Sequence, residues 1–402
     1  MPSRQEVPVN SEILRWARKQ ANFSISQAAL SAKIHDLKSS NISAEDRLTA
    51  WENEKGSERP TLNELKSIAK AYRRPLLTFF LSEPPKPSSK LDDFRTFGDH
   101  PITESTPEFS AFMRRIEVLQ QEVRDILVEE GAPPLAFIGS ASTKATPQEI
   151  AQSIRDVLKF PFNTQAAIKN KDSLFNSLRN KAEDAGIFIL KAADLGSHHS
   201  RISVKEFRGL TISDNYAPFI VVNPNDALSA LLFTLVHEFA HLWLGDSGIS
   251  NDDILSISPI KRQEREIICN QVSAEFLVPK YKLLEEFASR ERWNLRDAID
   301  YLSDIFKVSS LVIGRRLFEL DKMDEETYWQ LYEESKQLWA DYRSSLSESE
   351  GGPGYFTNTK SKLGNKLLKT IIGAAYDGRL PYTDASRMLN IKVNNFSEFM
   401  VA

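Results

Sequence analysis

The sequence predicts an α+β fold that is mostly helical, with a small β-region near its middle. Three observations predict it. Apolar residues recur at three and four spacing over most of the chain, the period of helices with one buried face. Runs of β-branched and aromatic residues cluster between positions 187 and 223. Breaks rich in Pro, Gly and Ser, at 84–89, 131–134 and 347–354, divide the helical stretches into sections. At 402 residues the chain is long enough for two or three domains with cores of their own.

Taken in order, residues 1–83 form a helical section that ends at the stiff Pro84-Pro85-Lys86-Pro87-Ser88-Ser89 boundary. Residues 84–140 hold a linker and one long helix near 107–130. Its apolar face is Phe109, Phe112, Ile116, Leu119, Val123 and Ile126, and Gly131-Ala132-Pro133-Pro134 stops it. Residues 141–285 form the central section, with helices near 147–158 and 172–185 and a strand at 187–190. Two β-rich runs, 204–212 and 217–223, flank Ser213-Asp214-Asn215 and read as a hairpin. Asn223-Pro224 reads as an N-cap and first turn, and Gly245 as a stop. Between them Leu228, Leu231, Leu232, Leu235, Phe239 and Leu242 keep helical spacing. Residues 286–346 return to helices, and residues 347–402 form a C-terminal helical module.

Composition narrows the class. The chain is 41% hydrophobic and 26% charged with a net charge of −4, a balance that demands neither nucleic acid nor a membrane. No apolar run reaches the roughly 18 residues of a membrane span, and Met1-Pro2-Ser3-Arg4-Gln5-Glu6 lacks a signal core. A single cysteine, Cys269, excludes an internal disulfide and reads as a small core residue. These features together point to the cytoplasm.

The chemistry is concentrated in His237-Glu238-Phe239-Ala240-His241. Two histidines four apart on a helix face the same side, one turn above each other. Their nitrogens can hold one zinc ion at about 2.0–2.1 Å as one edge of a tetrahedron. Glu238, beside that face, can take the proton from water activated by the metal. A third ligand should come from the helix that follows, which offers Glu264, Glu266 and Glu275. Helical spacing sets Glu266, Asn270, Ser273 and Leu277 on one stripe suited to close packing. Spacing alone barely prefers Glu266 over Glu264. His198-His199 lies in a Gly/Ser-rich loop and reads as exposed polar sequence.

The motif, preceded by Phe233-Thr234-Leu235-Val236 and followed by Glu266-x-x-x-Asn270 and Ala274-x-Phe-Leu-Val-Pro279, resembles the ImmA/IrrE family of zinc endopeptidases. The resemblance implies a minimal zincin-like core flanked by helix-turn-helix-like helical domains. It implies one zinc per chain on His237, His241 and Glu266, with Glu238 as the catalytic base. Cys269 stands where that family usually has Ala, and Ser273 replaces another small residue. A hairpin beside such a helix can take up an extended peptide at a sheet edge.

The N-terminal section is similar to Xre/Cro-type helix-turn-helix domains through Ile13-Leu14-Arg15-Trp16, Ser24-Ile25-Ser26-Gln27 and Trp51-Glu52-Asn53, with Pro60-Thr61-Leu62 beyond. Such domains set a recognition helix in the major groove. Here Ser43–Ala50 carries Glu45 and Asp46 where base-reading Arg, Gln or Asn is expected, with Arg47 its one basic residue. Residues 1–83 hold 13 Lys/Arg against 10 Asp/Glu, a weak electrostatic footprint. DNA binding there competes evenly with a scaffold for protein contacts. A second helix-turn-helix-like stretch spans 302–317, where Arg315 and Arg316 could meet phosphate or form a solvated face.

The expected function is limited regulatory proteolysis, the likeness suggesting a repressor or toxin–antitoxin partner in a stress circuit as substrate. The competing class is a DNA-binding transcriptional regulator or antitoxin with a sensory or weakly active metal domain.

Overall fold

The structure, a computed structural model, describes residues 6–21, 23–37, 41–53, 59–85, 106–142, 144–196, 200–250, 264–289, 293–346 and 354–400. The His198-His199 pair, most of the 84–89 boundary and nearly all of the 347–354 joint lie outside the described residues. The fold is mostly helical with one four-stranded mixed sheet, an α+β arrangement. The described residues fall into two compact units, one within 6–117 and 194–202, the other within 118–193 and 203–400.

The first unit is built from α1 (Ser11–Gln20), α2 (Ile25–Ser31), α3 (Ala44–Glu52), α4 (Leu62–Ala71) and a 3₁₀ turn at Leu76–Phe80. Its starts follow the sequence: Ser24 with Gln27 and Thr61 with Glu64 form capping boxes at the heads of α2 and α4. Ile13, Leu14, Leu48, Leu65, Ile68, Tyr72 and Phe79 close one core. Arg47 is buried inside it. Its guanidinium pairs with Glu64 at 2.7 Å, donates to the His35 carbonyl at 2.7 Å and lies over the Trp51 ring. The one basic residue of Ser43–Ala50 is therefore a core tie, while Glu45 and Asp46 face solvent.

The second unit holds the sheet. The long helix α5 (Pro107–Glu129) enters it from Val118 onward and ends at Gly131, whose φ of 71° only glycine adopts without strain. Helices α6 (Pro147–Leu158), α7 (Phe162–Ala166) and α8 (Lys171–Asp184) follow. The strands are β1 (Phe188–Lys191), β2 (Gly209–Ile212), β3 (Phe219–Val222) and β4 (Gly248–Ser250), in the order β1-β3-β2-β4. β1 runs parallel to β3, and β2 is antiparallel to both neighbours. The β2–β3 turn is fixed by Asp214, whose Oδ1 accepts from the Tyr216 and Ala217 N–H groups. The paired strands are shorter than the sequence runs, because 203–208 turns before pairing begins. The first hairpin strand is also no free edge: Gly209, Leu210 and Thr211 pair with β4.

Across the sheet lies α9 (Leu228–Leu244), buried along most of its length and central to the largest core, with Leu232, Leu235, Val236, Phe239 and Trp243 fully buried. It starts later than its Asn-Pro signal. Asn223 instead donates to the Phe207 carbonyl at 3.0 Å and accepts from Asn225 N–H, so it closes a turn rather than capping the helix. Gly245 does end α9, at φ 74°, packed against Gly139. The last carbonyls of the helix are met by the Gly139 and Ala141 N–H groups at 2.9 and 2.8 Å.

Helix α10 (Glu264–Leu277) packs along α9, followed by α11 (Lys280–Ala288), α12 (Leu295–Phe306), α13 (Ser310–Glu319) and α14 (Glu325–Leu346). The Val308-Ser309 turn between α12 and α13 stands where the sequence puts it. Arg316, a candidate phosphate contact, is buried instead: it pairs with Glu275 and donates to the Val278 carbonyl. Arg315 pairs with Glu319 on its own helix at 2.7 Å. The chain closes with α15 (Tyr355–Leu363), α16 (Asn365–Tyr376), α17 (Tyr382–Leu389) and α18 (Phe396–Met400). Glu183 on α8 receives the Asn365 and Lys366 N–H groups, while Arg179 donates to the Ser361 carbonyl, tying this module to the sheet. No helix among the described residues is long and apolar enough to cross a membrane.

Candidate metal and catalytic site

Helical geometry sets His237 and His241 one above the other on α9, with ring centroids 4.8 Å apart. Their Nε2 atoms stand 3.0 Å from each other. Glu266, in the first turn of α10, brings Oε2 to 3.1 Å from His237 Nε2 and Oε1 to 3.4 Å from His241 Nε2. Both histidines are buried and Glu266 is half-buried. The other acids of that helix go elsewhere. Glu264 is exposed, and Glu275 is spent on Arg316 and the Lys280 N–H.

Two imidazole nitrogens facing each other and a carboxylate cannot all be satisfied by the hydrogens they carry; a cation resolves the conflict. Nitrogen and oxygen ligands about 2.0–2.1 Å from a tetrahedral zinc stand about 3.3 Å apart along each edge. The observed separations of 3.0, 3.1 and 3.4 Å match such an edge closely. The three residues therefore fit a divalent metal. Burial raises the Glu266 carboxyl, but the hydrogen bonds and charges of His237 and His241 outweigh it and hold the group far below the carboxylate range. Burial opposes charge on His241, yet Cys269 and Glu266 beside it push its pKa well up.

Glu238 turns toward β2. Its carboxylate is fully buried, and Oε2 accepts a 2.6 Å hydrogen bond from Thr211 Oγ1 on β2. Oε1 has no partner within the protein. Room for it comes from Gly209: a Cβ there would stand 2.1 Å from Oε1. Thr211 and Gly209 lie outside the motif itself; the signal for them is a Gly and a Thr two apart, on one face of β2, the first strand of the hairpin before the motif helix.

Cys269 is the small core residue that the sequence suggests, fully buried in the main core. Its thiol also lies near the histidines: one ligand atom each from His237, His241 and Cys269 lie within 4.8 Å of one another. Burial pushes the Cys269 thiol up, and the charge of His241 opposes that shift.

The family model for the IrrE N-terminal-like domain of the M78 peptidases matches residues 182–318, which contain both motif helices and β2 to β4. A second model, a domain of unknown function (DUF8813), matches residues 363–401. No curated protein and no solved structure matches significantly. The matched segment supports a metallopeptidase-like function for the chain.

Proposed function

We propose that the protein is a zinc endopeptidase that cuts a partner protein, a repressor or a toxin–antitoxin component, at a limited number of sites. The observation that carries this reading is the triangle of His237, His241 and Glu266 donors beside a buried carboxylate with one open oxygen. A zinc ion bound by those three residues supplies Lewis acidity to the site. Glu238 Oε1 takes the proton of the attacking water, while Thr211 holds the other oxygen and so fixes the direction of the open one. Water adds to the peptide carbonyl carbon, and the C–N bond breaks as Glu238 returns that proton to the departing amine. The apolar wall of α9 excludes bulk water from Glu238 and strengthens each of these interactions.

An extended segment of substrate suits this arrangement, because β4 offers an outer sheet edge next to Thr211. The first unit recruits the partner. Its α3 presents Glu45 and Asp46 outward and keeps Arg47 inside, which disfavours a phosphate backbone and suits a basic protein surface. The single cysteine, a thiol beside the histidines, fits the reducing cytoplasm. Glu238→Gln keeps the fold and the metal donors but removes the base, so it should capture the uncut partner from cells, with the wild-type protein recovering its fragments. Equal cleavage of the captured partner by Glu238→Gln would overturn the reading.

A further inference from the structure

Apart from the metal cluster, the C-terminal module carries a cleft that the mechanism does not use. Its lining comes from three places: Tyr355 at the start of α15, Ser386 and Asn390 on and just after α17, and Ile391, Lys392 and Asn395 in the turn into α18. The cleft encloses about 480 Å³, within the range of about 300–1,000 Å³ that ligands and anchoring side chains fill. Ile391 is its buried, apolar member; Tyr355 is 50% exposed, and Asn390 and Lys392 are exposed. Local bonds set the wall. Asn390 ends α17 at φ 55°, and Ser386 Oγ donates to the Ile391 carbonyl at 2.7 Å. The side-chain amides of Asn390 and Asn395 make no hydrogen bond among the described residues.

Charge sets the module apart. Residues 354–400 hold 7 Lys/Arg against 3 Asp/Glu, a net +4 in a chain whose total is −4. Arg379 is spent on Glu130 and Asp377, and Arg387 on Asp384. Lys392, in the cleft, has no ion pair among the described residues. We propose that this cleft binds an acidic segment of a partner protein. Lys392 meets a carboxylate, the Asn390 and Asn395 amides meet the extended backbone, and Tyr355 with Ile391 takes an apolar side chain. An acidic segment is drawn to this module against the sign of the whole chain. A phosphate backbone is a poorer occupant, because it needs cations along a track and the cleft supplies a single lysine. The site requires neither the metal nor Glu238. A partner held here is engaged through contacts remote from the bond to be cut, which is how binding energy is turned into selectivity.

The test presents the full-length protein with a displayed library of random short peptides and measures the affinity of the enriched ones. Peptides enriched by the wild type are expected to carry an excess of Asp and Glu around an apolar residue, and to bind more weakly as salt rises. Lys392→Glu and Tyr355→Ala change exposed side chains, so both variants should fold. Each is expected to bind those peptides at least about tenfold more weakly. Lys369→Glu, an equal charge change at an exposed residue outside the cleft, should stay within about twofold of the wild type. An enriched pool without acidic excess, or one that Lys392→Glu binds as well as the wild type does, overturns the site. Tighter binding of a single-stranded oligonucleotide than of any enriched peptide, lost in Lys392→Glu, overturns the peptide as occupant. Peptide binding is read without metal or cleavage, so either failure leaves the metal-site reading standing.

Discussion

Gly209→Ala tests whether the placement of the Glu238 carboxylate, rather than the metal alone, carries activity. The backbone of Gly209 is not in the left-handed region, so alanine is admissible there; the obstacle is space. The added Cβ would stand 2.1 Å from Glu238 Oε1 and 2.6 Å from Thr234 Cγ2. Non-bonded heavy atoms are at ease near about 3.5 Å, so the carboxylate must retreat by about 1 Å. That retreat breaks its 2.6 Å bond with Thr211. A misplacement of about 1 Å can cost on the order of 100-fold in rate. Overpacking should lower stability by about 1–3 kcal/mol, too little to explain such a loss in a folded protein. The atoms nearest the new methyl group belong to Glu238 and Thr234, not to a metal-binding residue, so metal content should stay unchanged. The assay pairs elemental analysis with the rate of cutting of the partner captured by Glu238→Gln. A variant that folds, holds metal and cuts at the wild-type rate would refute this role for Gly209.

Two further outcomes concern stability. Arg155 is buried on α6, where it donates to the carbonyl of Phe160 at 2.9 Å, to Gln165 Oε1 at 2.9 Å and to the Phe276 carbonyl at the end of α10; burial lowers its pKa to about 10. Arg155→Met leaves these acceptors unpaired and should lower stability by about 2–4 kcal/mol in denaturant unfolding, with an unchanged midpoint the contrary result. Glu64 is held below the carboxylate range: burial raises it, and its bonds to Thr61 and Arg47 more than reverse that. A depressed carboxyl stabilises fully above its unfolded value of about 4.3 and loses that contribution as pH falls below it. The first unit should therefore weaken from about pH 5 downward, and Glu64→Gln should flatten that slope in thermal melts.

Much of this fold is legible in the sequence because local signals there agree with packing. The apolar stripe of α5, the Thr146–Glu149 capping box of α6 and Gly245 at the end of α9 each meet one clear physical need. Illegible parts depend on residues far apart in the chain. The three-residue β4 has no β-run of its own and exists because β2 offers it backbone partners. Asn223 has the chemistry of a cap but meets Phe207 first. Arg47 and Arg316 read as surface cations until Glu64 and Glu275, 17 and 41 residues away, are brought to them. At the site, the histidine pair is visible because its spacing is that of the helix. Thr211 and Cys269 join it only through the packing of β2 and α10 on α9.

His237, His241 and Glu266 are proposed to form one metal site which Glu238 serves without being a ligand. Metal content of purified wild-type, His241→Ala, Glu266→Ala and Glu238→Gln proteins tests this directly. Wild-type and Glu238→Gln proteins are expected to hold about one zinc per chain and the other two to lose most of it, because removing one ligand opens the site. Full metal in His241→Ala and Glu266→Ala, or loss of metal in a folded Glu238→Gln protein, would contradict it.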